Sequence, residues 1–185
     1  MGKTEPEYRQ EGFRIGTWHG RWVEPSMHER FLQRVLYLRG IDVVYTSTER
    51  SYLRPIAYEM PLYEGNRVQS IDLVAYDVHL DVWLIELKRA DSADRLDDIV
   101  QQITGYATAW GHIKNCVQQE FRERFHSEAS FQDTKLLIVA PRAAQLMRNP
   151  KVPEEVLLGY LGHIRDGAEA GLLNGHGPVS IHVRR

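Results

Sequence analysis

Three ionisable residues stand at strand spacing within two apolar segments of the chain. Asp72 follows Ile71 in the first segment, and Glu86 and Lys88 close the second one. Ionised side chains are rarely buried unless they are paired or bind a metal ion. Because side chains alternate faces along a strand, Glu86 and Lys88 share one face, and a hairpin can bring Asp72 close to Glu86. Two crowded carboxylates favour a hard divalent cation, Mg²⁺ or Mn²⁺.

The chemistry that such a site supports is hydrolysis of a phosphodiester bond. A bound divalent cation polarises the phosphate and lowers the pKa of a coordinated water. Lys88, two residues from Glu86, could orient or help deprotonate that water and offset the negative charge that develops during attack. The three residues therefore predict metal-assisted hydrolysis.

Hydrophobic periodicity predicts the elements that must hold these side chains. The capping box Ser26-Met-His-Glu29 begins a first helix, which stops at Arg39 and Gly40. A short strand is expected at 43–46. Strands at 56–63, 68–76 and 82–88 follow as an antiparallel meander.

The second half of the chain predicts one more long helix and a buried strand. Apolar residues repeat at helical spacing from Ala93 to about Trp110, and the run at 135–140 is typical of a fully buried strand. A short helix near 142–148, another that begins at Pro153, and a last strand near 179–183 complete the prediction. Gly105, inside the long helix, indicates close approach of the sheet or of a ligand, because glycine there costs up to about 1 kcal/mol relative to alanine.

Two further polar residues complete a motif. Gln102 and Tyr106 stand one turn apart on the helix that follows the Asp72–Glu86 hairpin. The order α-β-β-β-α-β, with Asp-x13-Glu-x-Lys followed by Gln-x-x-x-Tyr, resembles the RecB-like branch of the PD-(D/E)XK nuclease superfamily over residues 26–140. The sequence departs from the family name at Ile71, which stands where the proline is expected.

The resemblance implies an α/β fold with a restriction-endonuclease-like αβββαβ core, in which a mixed central sheet is flanked by helices. It also implies roles for single residues. The metal ligands would be Asp72, Glu86, the backbone carbonyl of Leu87 and the first-helix acid Glu29, with Lys88 as the catalytic lysine. Gln102 and Tyr106 would support the site and contact the nucleic-acid backbone, and Arg89 and Arg95 are candidates for phosphate contacts beside them.

The implied function is Mg²⁺-dependent hydrolysis of DNA, as an exonuclease or an endonuclease, with Mn²⁺ able to substitute. RNA stays open as a substrate. One alternative is a catalytically silent module that binds nucleic acid or assists assembly. Another is a structure-specific resolvase or restriction-type endonuclease that acts as a dimer, so a homodimer or a larger complex stays open.

Composition is compatible with these functions. The 185 residues predict one domain over 1–185, with an irregular lead-in at 1–25, a catalytic core at 26–140, and C-terminal helices with an edge strand at 141–185. Cys116 is the single cysteine, which excludes an internal disulfide and a four-cysteine iron–sulfur cluster. No apolar run approaches the ~20 residues of a membrane span, and the N-terminus lacks the apolar core of a secretory signal, so a cytoplasmic location is expected.

Overall fold

The computed structural model describes residues 29–64, 67–88, 94–140, 152–161 and 176–184. Two helices and seven strands lie in these ranges. In chain order they are α1 (Glu29–Arg39), β1 (Ile41–Val44), β2 (Arg50–Glu64), β3 (Arg67–Tyr76), β4 (Val82–Leu87), α2 (Leu96–Phe125), β5 (Thr134–Ala140), β6 (Val156–Tyr160) and β7 (Val179–Arg184).

The seven strands form one closed barrel in the order of the chain. Strands β1 to β4 pair antiparallel, whereas β5 runs parallel to both β4 and β6. Strand β7 pairs antiparallel with β6 and parallel with β1, where Ile41 lies opposite Val179. The backbone N–H of Val179 also donates to the Gly40 carbonyl at 3.0 Å. This last pairing closes the sheet.

The closed sheet overturns the predicted fold class. A restriction-endonuclease-like core has an open mixed sheet, but here β7 has a hydrogen-bonded neighbour on each side and is not an edge strand. The physical reason for the closed sheet is that β1 and β7, which are distant in the chain, pair with each other. Closure gives β1 and β7 a hydrogen-bonded neighbour on each side, and it joins the residues after Gly40 to the last described strand.

Each face of the sheet carries one helix and one apolar cluster. Helix α1 packs through Phe31, Leu32 and Leu36 into the first cluster, which also contains Trp83 and Ile85. Helix α2 packs through its buried residues into the second cluster, which contains Leu84 and Ile138. We call these two sides of the sheet the α1 face and the α2 face. Full burial of such side chains contributes roughly 1.5–3 kcal/mol each.

Most predicted elements of the core are confirmed, and the later ones are partly wrong. The antiparallel meander and the buried strand at 135–140 are present. The helix expected from Pro153 is instead a turn at 154–155 followed by β6, because β5 needs a second hydrogen-bonded neighbour. Helix α2 continues past Trp110 to Phe125. The lead-in at 1–25 and the helix at 142–148 lie outside the described residues.

Neither α1 nor α2 is long and apolar enough to cross a membrane.

Candidate functional site

Asp72 is held in β3 by bonds to its side chain and to its backbone. The Leu87 backbone N–H on β4 donates to Asp72 Oδ2 at 2.7 Å. The Gln33 side chain on α1 donates through Nε2 to the Asp72 carbonyl oxygen at 2.8 Å. Asp72 itself is only 9% exposed. A strand, its neighbour and a helix therefore all fix this carboxylate.

Glu86 and Lys88 lie where the alternation of β4 predicts them. Trp83, Ile85 and Leu87 pack on the α1 face, whereas Leu84 packs on the α2 face, the side to which alternation assigns Glu86. Lys88 Nζ lies 2.7 Å from Glu86 Oε1. The backbone N–H of Lys88 donates to the Val139 carbonyl on β5 at 2.9 Å, so β5 also holds the backbone of the lysine.

Burial and crowding shift the titration of both carboxyl groups. Burial, the neighbouring Glu86 and then Glu29 raise the pKa of Asp72 well above its usual value, against the Leu87 N–H and Lys88, which lower it. Burial also raises the pKa of Glu86, although Lys88 opposes that shift. Burial lowers the pKa of Lys88, but Glu86, Asp72 and Glu29 outweigh burial and the net pKa is raised. The lysine is therefore an ammonium ion at neutral pH.

Gln102 and Tyr106 reach the same site from α2. Gln102 Nε2 donates to the Tyr106 hydroxyl oxygen. The other end of the amide, Gln102 Oε1, lies 3.5 Å from Lys88 Nζ. Tyr106 is buried, and burial followed by the Glu86 charge raises the pKa of its hydroxyl. The helix pair therefore contacts the strand carboxylate and the lysine that the sequence predicted beside it.

The remaining predicted residues differ in how they lie relative to Asp72 and Glu86. Glu29, the first residue of α1, is close enough to influence the pKa of Asp72, Glu86 and Lys88. Arg95 is exposed at the start of α2 and lies 3.6 Å from Asp97. Leu87 contributes its backbone N–H to Asp72, whereas the role of its carbonyl stays a prediction. Arg89 lies outside the described residues.

Two residues of the site were not predicted from the sequence. Gln33 is a buried polar residue within the apolar side of α1, one turn after Glu29. A polar residue in an apolar helix stripe could have been singled out from the sequence. Asp94 precedes α2, and its Oδ2 lies 3.5 Å from Lys88 Nζ. Its sequence context, Asp-Ser-Ala-Asp-Arg, reads as an ordinary polar helix start, so no pattern distinguished it.

The donor set suits a hard cation with few protein ligands. Within the described ranges, no group of three or more His, Cys, Asp or Glu side chains has a metal-binding arrangement. Asp72 and Glu86 nevertheless supply two buried carboxylates, and Glu86 Oε2 meets no described donor in regular hydrogen-bond geometry, although Asp72 and the Tyr106 hydroxyl lie close to the Glu86 carboxyl group. Mg²⁺ usually keeps several waters and binds only one or two carboxylates, so the pair fits this ion better than a metal that needs a full protein cage. A buried carboxylate oxygen without a regular hydrogen bond is available to a cation.

Comparison of the chain with known protein families, with curated proteins and with solved structures gives no match.

Proposed function

We propose that this protein is a metal-dependent nuclease that hydrolyses phosphodiester bonds in DNA, with Mg²⁺ as its ion and Mn²⁺ as a substitute. One observation carries the proposal. Glu86 is almost fully buried and has one oxygen on the Lys88 ammonium, while the other meets no described donor in regular hydrogen-bond geometry, although the carboxyl group of Asp72 and the Tyr106 hydroxyl lie close to Glu86. Such a group is costly for stability and useful for binding a cation.

The proposal rests on the side chains of the site and not on the fold. The barrel is closed, so the architecture of the RecB-like nucleases gives no support. What supports the proposal is that the motif residues, which are spread from 72 to 106 in the chain, contact one another. The choice of DNA follows from the resemblance of the motif set to those nucleases, and RNA is therefore included in the test.

Each residue of the site has a role in the proposed reaction. Asp72 and Glu86 would hold the ion, which when bound polarises the phosphate and acidifies a coordinated water. Lys88, held by Glu86, presents a fixed positive charge that offsets the charge developing on the phosphoryl oxygens. Gln102 and Tyr106 fix the lysine from α2. Arg95, exposed at the start of α2, would contact a neighbouring phosphate.

A silent module that binds nucleic acid without cleaving it is the second candidate. The 2.7 Å contact between Lys88 and Glu86 favours it, because the lysine can neutralise the carboxylate without any ion. In that case Asp72, Glu86 and Lys88 would form a buried polar network that only specifies the structure. The two candidates differ in whether an added cation is bound and whether a phosphodiester bond is cut.

A cleavage panel separates these candidates. Purified protein is incubated with Mg²⁺, Mn²⁺ or EDTA and with single-stranded, duplex, circular and branched DNA and RNA, and the products are resolved by length. We expect metal-dependent products with wild type and none with Glu86→Gln. Cleavage of circular DNA would identify an endonuclease, and products from linear DNA alone would identify an exonuclease.

The matched control is Glu123→Gln. Glu123 is exposed near the end of α2, where it accepts a hydrogen bond from Gln119. This variant makes the same change from acid to amide at a distance from the site, so the variant protein should cleave like wild type. Binding of DNA or RNA without cleavage under every condition would support the silent module and exclude the nuclease.

A further inference from the structure

Strands β2 and β3 change phase beside Asp72. Residues two apart in a strand normally lie on the same face. In β3, however, Ile71 packs on the α2 face and Leu73 packs on the α1 face. The same change occurs in β2 between Tyr58, on the α1 face, and Met60, on the α2 face. Both strands therefore reverse their alternation at one level of the sheet.

The backbone is irregular at that level. The β2–β3 pairing runs through Tyr58 and Leu73, resumes at Met60 and Ile71, and skips Glu59 and Asp72 between them. Glu59 has φ of 44°, in the left-handed region that residues other than glycine seldom adopt. The β3–β4 pairing also stops at Leu73 and Ile85, one residue before Asp72 and Glu86. Asp72 consequently stands where regular pairing is interrupted on both sides.

The reversal falls directly beside Asp72. If β3 kept the alternation that begins with Ile71, Asp72 would point to the α1 face, away from the side on which Glu86 and α2 lie. Asp72 keeps the phase of Leu73 and Val74 and shares the α2 face with Glu86, so the reversal falls between Ile71 and Asp72. Asp72 is therefore the first residue of β3 in the phase that faces Glu86.

The Gln33 side chain bonds to the backbone at this point. Its amide, which is 3% exposed, donates to the Asp72 carbonyl at 2.8 Å from a helix whose neighbouring side chains Phe31, Leu32 and Val35 are apolar. A buried amide among apolar residues needs such a partner. Here the partner is the backbone of a proposed metal ligand at the point where the ladder is interrupted.

We propose that Gln33 is a positioning residue, which fixes the Asp72 backbone beside the phase reversal of β3 and thereby holds the Asp72 carboxylate toward the proposed ion. This role rests on the proposed function, because it assigns Gln33 to the same site. Loss of groups that orient metal ligands typically costs about 10–100-fold in metal affinity or activity. A residue that only packs α1 on the sheet would change the stability of the fold and leave the affinity for the ion unchanged.

The test compares Gln33→Met with Gln118→Met. Methionine keeps the length and volume of glutamine and has no amide. Gln118 Oε1 accepts the Phe131 backbone N–H at 2.7 Å, so it is a partly buried glutamine with a side chain to backbone bond elsewhere on the protein. Mn²⁺ is titrated against the melting temperature of each protein, and kcat and KM are measured with the DNA that wild type cleaves. Gln33→Asn, a milder change with a shorter reach, is measured in parallel in case the methionine variant does not fold.

We expect Gln33→Met to raise the Mn²⁺ concentration at half-response by about tenfold or more, and to lower kcat by a similar factor with little change in KM. Gln33→Asn should fall between this variant and wild type, and Gln118→Met should match wild type in both measurements. Wild-type values for the half-response and kcat in the folded Gln33 variants would overturn the positioning role and leave the nuclease intact. If wild type itself shows no response to Mn²⁺ and no cleavage, the proposed function fails and the role of Gln33 fails with it.

Discussion

Lys88 Nζ and Glu86 Oε1 lie 2.7 Å apart, and the two side chains are 11% and 3% exposed. A pair this buried loses most of its attraction to the cost of desolvation, and apolar residues of similar size often stabilise a fold as well or better. Stability alone therefore gives little reason for an ammonium ion at this position. Its contact with Gln102 and its place beside Asp72 agree with the catalytic role that we propose for it.

The first prediction is that Lys88→Met abolishes cleavage and preserves most of the affinity for DNA. One phosphate contact among several carries only part of a salt-dependent binding energy, whereas a lost positive charge in the transition state costs on the order of a hundredfold or more in kcat. The measurement is kcat from single-turnover cleavage, together with Kd from a binding titration at fixed salt.

Lys135→Met is the matched control for that variant. Lys135 is also paired with a carboxylate, at 2.6 Å from Asp81 Oδ2, but it lies near the turn between β3 and β4, away from Glu86. It should keep wild-type kcat. Equal loss of activity in the two variants would mean that the effect comes from the fold and not from the position of Lys88.

The second prediction is that Asp72→Asn stabilises the protein in EDTA. The folded-state pKa of Asp72 is raised, so the folded protein binds more protons than the unfolded chain between the usual pKa and the raised one. Folding stability is therefore lost as pH rises through that range, and at pH 7 the carboxylate opposes folding. Asparagine removes the charge and can still accept the Leu87 N–H through its oxygen.

We expect a gain of about 1–3 kcal/mol at pH 7 from urea unfolding, which shrinks as pH falls toward the usual value of an aspartate. Mn²⁺ should raise the melting temperature of wild type, because it binds the folded state alone, and should have little effect on Asp72→Asn. A variant that is less stable than wild type at pH 7 in EDTA would contradict the electrostatic cost assigned to Asp72.

Local patterns predicted the site better than the fold. The shared side of Glu86 and Lys88 follows from alternation within one strand, and the i, i+4 spacing of Gln102 and Tyr106 follows from one turn of helix. The regular pairing of β3 with β4 ends at Leu73 and Ile85, and its phase extends to Asp72 and Glu86, so their shared face was predictable. The reversal on the other side of Asp72 was not, because no period in the sequence indicates it.

Closure of the barrel was not predictable for a related reason. It depends on pairing of Ile41 with Val179, segments separated by most of the chain. Strand β6 was also missed, because Pro153-Glu-Glu is a typical helix start and the demand of β5 for a second partner is a tertiary effect. Without β6, the chain has no strand that could join β5 to β7.

The third prediction concerns Gly105, whose expected close approach to the sheet is wrong. A Cβ built at Gly105 would meet no described atom within 4 Å, and the same holds for Gly111 on the same helix. Gly105→Ala and Gly111→Ala should therefore each stabilise the protein by up to about 1 kcal/mol, measured by urea unfolding. Because Gly105 adjoins Tyr106, only Gly105→Ala should weaken DNA binding if the substrate lies along this part of α2. A loss of stability in either variant would show that the helix surface is covered.

The fourth prediction concerns the stability of the protein in acid and the role of Asp77, which directly follows β3. Burial raises the pKa of Asp77, but hydrogen bonds from the Trp83 indole and from the backbone N–H groups of His79 and Asp81, together with Lys135, outweigh burial and lower the net pKa. A lowered folded-state pKa means that the contribution to stability is fully present above the unfolded value of 3.8 and is lost as pH falls through the folded value.

Asp77→Asn should therefore cost about 1–3 kcal/mol at pH 7, where the ionised carboxylate accepts charge-assisted hydrogen bonds, and the cost should shrink below pH 4. The amide would also turn a donor toward the Trp83 indole N–H, which lies 3.0 Å from Asp77 Oδ2 in wild type. Unfolding free energies from urea titrations between pH 7 and pH 2.5 measure the difference.

Asp97→Asn, in an exposed pair with Arg95, is the control and should change stability by less than about 1 kcal/mol throughout. A constant difference between wild type and Asp77→Asn across this pH range would mean that Asp77 stabilises the turn by packing and geometry, and not by its charge.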